Sequence, residues 1–184
     1  ENFKTYFWNE QGYLNDVIIP GQKVDASIRP NQIYVLSLPF SLLDKKSELK
    51  VLETVEKHLF TEYGLRSLAP QHPDFRPLYQ GSPWDRDTAY HQGTVWPFLI
   101  GDYWIAFLKL HKNSQEARQK VLAHFKTLKH HFYQEAAIGG ISEIFDGENP
   151  GPGKGTVHQA WSVSVLIKLF MDYKLFELPK PELV

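Results

Sequence analysis

Residues 94–111, TVWPFLIGDYWIAFLKLH, decide the fold, because a helix wound from them leaves little face for water. Val95, Trp96, Phe98, Leu99, Tyr103, Trp104, Phe107 and Leu108 surround its axis, and a helix of that kind is buried on most sides. Its neighbours differ. From Lys46 to Tyr63, Leu49, Leu52, Val55 and Leu59 repeat at three and four residues, while Glu48, Lys50, Glu53, Glu56 and Lys57 cover the other side. The segment after residue 113 places Val121, Leu122, Phe125 and Leu128 on one side and Arg118, Lys120, Lys126 and Lys129 elsewhere. Both predict helices with one dry and one wet face. Further out, Asn31 to Leu43, kinked or shortened by Pro39, and Thr156 to Tyr173 are strongly apolar again. Dry, half-wet, dry, half-wet, dry is the order that two layers of helices produce, the inner one covered on both sides. The expected fold class is therefore all-α, a single domain over residues 1–184. A short N-terminal β-hairpin is expected from FKTYFW and YLNDVI flanking the turn NEQG, residues 3–18. Leu178-Pro179-Lys180-Pro181 should end the regular structure.

The connections are unequal. Inner helices reach outer ones by short links near Asp44 and near Asn113, where Asn113 or Ser114 can cap the next helix. Outer helices return to inner ones through long stretches, 64–92 and 135–155. The second lies within residues 133–161, YQEAAIGGISEIFDGENPGPGKGTVHQAW. Loops of about twenty residues within a compact domain are more often functional than idle. Both lead into the N-terminal end of an inner helix, so their acids, histidines and tryptophans should gather at one end of the stack. Unpaired amides and a positive dipole end there suit a carboxylate or a polar ligand group.

Composition narrows the ligand. The chain of 184 residues has 20 lysines and arginines against 21 acids, net charge −1, which gives no electrostatic reason to expect nucleic acid or an anionic membrane as partner. A neutral ligand fits better. Cysteine is absent, which excludes disulfides and thiolate metal sites and favours a reducing, cytoplasmic setting. No apolar run reaches the length of a membrane span and no signal-peptide pattern opens the chain. Glu1 in the first position suggests that the natural start lies upstream. Aromatic residues make up 14%, with five tryptophans; most belong in a core, and a minority can stack on a ligand.

Paired carboxylates about a polar substrate are what glycoside hydrolysis requires. The loops offer Asp85, Asp87, Glu143, Asp146 and Glu148. Asp146-Gly147 matches a turn and is better explained structurally. Glu143 lies in GGISEIF, among apolar neighbours and near glycines that permit close approach of a ligand. It is the candidate catalytic carboxylate. His91 and His158 each precede an inner helix and are each followed by glutamine; capping or core packing and hydrogen bonding to sugar hydroxyls are both open. His124, His130 and His131 lack the four-residue pairing and the glutamate of a zinc helix. GPGKGT at 151–156 lacks the spacing and the preceding strand of a phosphate loop. Neither a metal nor another cofactor is expected.

The motifs RPNQIYVLSLPFSLL, YHQGTVWPFLIGDYW and GGISEIFDGENPGPGKGTVHQAWSVSVL together resemble the C-terminal part of the amylo-α-1,6-glucosidase domain of glycogen debranching enzymes. The resemblance covers most of the chain, with three motifs in the family's order. It implies part of an (α/α)₆ toroid, less than half of its twelve helices. It also implies inverting hydrolysis of α-1,6-linked glucose on a glycogen-like α-glucan. Glu143 takes the general-base role by similarity, and Tyr90, His91, Trp96 and Arg29 match family motifs that shape the glucose subsite. Trp96 and Arg29 are equally open to packing and loop anchoring. The family's general acid is an aspartate in a motif far upstream, so this chain is expected to be an incomplete, inactive fragment. Its dry helices should associate with the missing half of the toroid or with another copy. The alternatives are a non-catalytic α-glucan-binding or assembly module, and another (α/α)₆ glycosidase of trehalase-like or glucoamylase-like type.

Overall fold

The computed structural model describes residues 2–176; the expected chain end at 178–181 lies outside them. The described residues are mostly helical, with one small two-stranded antiparallel sheet. Helix α5 (Leu99–Leu110) is the centre. Nine of its residues are buried, Tyr103 and Ile100 completely. It packs against α2 (Ile33–Ser37) and α7 (Ala160–Asp172), and against α3 (Lys45–His58) and α6 (Gln115–Gln134). Lys120 on α6 pairs with Glu56 on α3 at 3.4 Å, so these two amphipathic helices are neighbours with charged outer faces. Helix α5 is thus the dry helix read from the sequence, with the amphipathic α3 and α6 on its flank. No helix among the described residues is long and apolar enough to cross a membrane.

Local chemistry sets the helix ends. Helix α2 stops at Ser37 because Leu38 precedes Pro39 and is driven to extended geometry (φ −55°, ψ 149°). Lys109 on α5 donates to the carbonyls of Leu36 and Leu38 at 3.3 and 2.9 Å, which satisfies that end. Of the two candidate caps for α6, Ser114 accepts from the Ala117 amide at 3.3 Å, whereas Asn113 turns through positive φ. Gly101 lets α7 approach α5: a Cβ there would lie 2.8 Å from Val165 Cβ. Helix α7 is less covered than its composition suggests, with Trp161, Ile167 and Met171 exposed.

Three expectations need correction. The N-terminal hairpin is instead helix α1 (Asn2–Phe7), followed by a turn at Gly12 and an isolated Trp8–Leu14 bridge. Phe3 and Phe7, four residues apart, stack at 4.9 Å, and Lys4 reaches Asp44 at the start of α3. That i,i+4 pairing outweighs the β preference of the aromatic run. Residues 95 and 96 are not helical. They form β2 (Val95–Trp96), paired with β1 (Leu65–Arg66) in the register Leu65–Trp96 and Arg66–Val95, because Pro97 disfavours helical geometry in the residue before it. The stretch 64–92 is not all loop, since α4 (Pro83–Ala89) starts within it on a Ser82–Asp85 capping box.

Candidate active site

Glu143 sits on a short extended segment held from both sides. Val95 and Phe145 exchange two backbone hydrogen bonds, each 2.9 Å, and Ile144 does the same with Lys154 at 3.2 and 2.8 Å. The Glu143 amide donates to the Thr156 carbonyl at 2.8 Å. Its carboxylate accepts from the Thr156 amide at 3.1 Å and from Gln159 Nε2 at 3.2 Å. Both oxygens are therefore oriented by donors close to the start of α7. Of the two glycines in GGISEIF, Gly139 faces open space, while Gly140 and the later Gly153 and Gly155 are closely packed. Gly155 has φ +69°, and a Cβ there would fall 2.3 Å from Glu143 Oε2. A Cβ on Gly153 would meet Ser142 Oγ at 2.1 Å, and one on Gly140 would meet the His158 ring at the same distance. These glycines admit the protein's own side chains.

Tyr90 follows α4, half-buried, with its phenol close to Glu143. Burial first, then the neighbouring Glu143, push that phenol well above its ordinary range. His91 stacks flat on Trp96, centroids 5.2 Å apart and planes at 4°. Burial and then the Arg29 charge hold its imidazole below its ordinary value, with Glu143 acting the other way. Trp96 is buried, and its indole N–H is shared between the Tyr90 carbonyl at 3.2 Å and Thr94 Oγ1 at 3.1 Å. Arg29 donates to the carbonyls of Ser67 and His91 at 2.9 and 2.7 Å and to Gln92 Oε1 at 2.5 Å. Asp16 lies 3.7 Å from its Nε.

A cavity of about 720 Å³ opens beside this group, with His91, Trp96, Phe98 and Trp161 on its aromatic side and Asp16 and Arg29 on its polar side. Glu143 does not line it. The path from Glu143 to the cavity runs through Tyr90 and His91, whose rings touch at 4.8 Å. Four of the five residues singled out from sequence, Glu143, Tyr90, His91 and Trp96, thus form one contact chain, and Arg29 anchors the opposite wall.

Two of the other loop acids have structural partners, while Asp87 lines the cavity. Asp146 accepts from the Tyr79 amide at 2.8 Å and pairs with Lys154 at 2.5 Å, tying the two long loops together. Asp85 closes the α4 capping box. Sequence reading passed over Gln159, visible only as the residue after His158, and Trp161, counted as one more apolar residue of α7. Trp161 is 45% exposed and stacks on Phe98 at 4.9 Å; a tryptophan in the first turn of an apolar helix beside a polar loop was the available signal. Among the described residues, no cluster of three or more histidines and acids is placed to hold a metal ion.

The chain belongs to the amylo-alpha-1,6-glucosidase family, whose sequence model matches residues 1–168. The glycogen debranching enzyme of Saccharomyces cerevisiae (strain ATCC 204508 / S288c) is 25% identical to it over 183 residues, covering 89% of this chain. The chain spans 12% of the length of that relative.

Proposed function

We propose that this chain carries the general-base side of an inverting glycoside hydrolase site that removes α-1,6-linked glucose from branch points of a glycogen-like glucan. The observation that supports it best is the Glu143 carboxylate, oriented by the Thr156 amide and Gln159 next to an aromatic-walled cavity. In this reading Glu143 takes a proton from water. The water oxygen attacks the anomeric carbon as the bond to the leaving oxygen breaks, and a general acid on the other face protonates that oxygen. Inversion sets the two carboxyl groups about 6.5–9.5 Å apart. By resemblance to the family, whose general acid is an aspartate in a motif upstream of the part matched here, that role is not given to Asp85 or Asp87. Trp161 and His91 are positioned to stack on sugar faces, and the remainder of an (α/α)₆ toroid, or a second copy, covers the exposed side of α7.

Glucose release from an α-1,6-branched oligosaccharide, against an α-1,4 chain and trehalose, tests the substrate class. In the parent-length protein, Glu143→Gln is expected to lower turnover about 10²- to 10⁴-fold while glucan binding persists. Near-normal turnover removes Glu143 from the base role. The exposed Trp161–Phe98 stack favours a second reading, a glucan-binding module without catalysis. Maltooligosaccharide binding with no turnover by the parent-length protein, unaffected by Glu143→Gln, selects it.

A further inference from the structure

Helix α6 ends beneath the segment that carries Glu143, and its last turn buries a histidine that the chemistry above does not use. His131 has no exposed surface. Its Nε2 meets the backbone N–H of Ser142 at 3.2 Å, and its Nδ1 meets Glu135 Oε2 at 2.7 Å. An amide N–H only donates, so Nε2 is the bare nitrogen; Nδ1 then carries the proton and gives it to Glu135 in a hydrogen bond. The ring is wedged edge-on against Phe145 at 5.0 Å and Tyr63 at 6.4 Å. Gly153 closes the remaining side, where a Cβ would come within 2.9 Å of the ring. Ser142, also fully buried, directly precedes Glu143.

We propose that His131 is a positioning residue: through the Ser142 amide it fixes where the Glu143 carboxylate stands, and Glu135 keeps its ring in the tautomer that can accept that amide. The catalytic meaning of this tether rests on Glu143 as the base, but the tether itself is measurable without turnover. A wrong tautomer would set an Nε2–H against the Ser142 N–H, two donors facing each other in a dry site, and the segment would have to move.

Nitrogen NMR of the ¹⁵N-labelled chain is expected to show His131 with a pyridine-like Nε2 and a pyrrole-like Nδ1. Glu135→Leu should release that preference and shift the Thr156 amide and the Gln159 side-chain amide, the two donors to Glu143. His131→Phe should shift the same signals, because it keeps ring volume and removes the acceptor. His131→Gln, whose Oε1 can accept the same N–H, should leave them in place. Should His131→Phe fail to fold, Glu135→Leu carries the comparison, since Glu135 is about a third exposed (34%). In the parent-length protein Glu135→Leu is expected to lower kcat about 10- to 100-fold with little change in KM. An Nε2–H tautomer in the unaltered chain, or unchanged Thr156 and Gln159 signals in folded Glu135→Leu, overturns the tether. Normal turnover in Glu143→Gln with those signals still responding to Glu135→Leu would instead remove the base role and leave the tether standing.

Discussion

His124 shows how one side chain can set an acid limit. It lies on α6 among Phe60, Trp104 and Phe125, with ring centroids 4.9–5.4 Å away, and its Nε2 has no hydrogen-bond partner. Burial lowers its pKa from 6.5 to about 4. Above pH 6.5 the folded and unfolded chains both hold it neutral. Between 6.5 and about 4 the unfolded chain takes the proton and the folded chain does not, so its contribution to stability falls as pH drops through that window. The loss is about 2–3 kcal/mol. His124→Phe keeps the aromatic contacts and removes the titration; its thermal midpoint is expected to decline less steeply between pH 6.5 and 4 than that of the unaltered chain. Equal slopes in a pH series of melting curves would contradict this. Periodicity sets exposed His130 apart from His124 and His131, seven residues apart on one face of α6, but nothing in the sequence separates unpartnered His124 from tethered His131. Residue type and periodicity report which face a histidine is on, and its partners come from other elements.

At the level of elements, periodic apolar spacing over twelve or more residues was legible and short structure was not. α5, α6 and α7 fall inside the segments read from their repeats, and α3 starts one residue before its own. The two-residue strands and seven-residue α4 give too few positions for a period to show, although Ser82-Pro83 and Pro97 held the relevant backbone signals. Only part of the candidate site could be named from the residues themselves. Glu143 stood out in its glycine-rich loop and Tyr90 only through the resemblance to the family, whereas Gln159 and His131 make their contacts across the chain. The contact of α5 with α7 depends on one missing side chain. Gly101→Ala should gain about 1 kcal/mol in helix propensity and lose about 1–3 kcal/mol by forcing Val165 away. The expected net result is a midpoint lowered by a few degrees and a more exposed Trp161, read by calorimetry and tryptophan fluorescence. A raised midpoint would show that α7 is free to shift.

For the molecule as a whole, the exposed apolar side chains of α7 are the feature to account for. Trp161, Ile167 and Met171 are each 45–61% exposed, and a groove of about 580 Å³ lined by Phe125, Phe132, Ile141 and Phe170 runs between α6 and α7. Apolar patches of that extent normally find a partner. Light scattering of the isolated chain is expected to show association that Ile167→Lys with Met171→Lys reduces; a monodisperse monomer would contradict it. The mutual backbone bonds of Val95 and Phe145 carry a consequence in time. Residues fifty positions apart in sequence should lose hydrogen-exchange protection at one common rate, so that the start of α5 and the Glu143 segment open as a single cooperative unit.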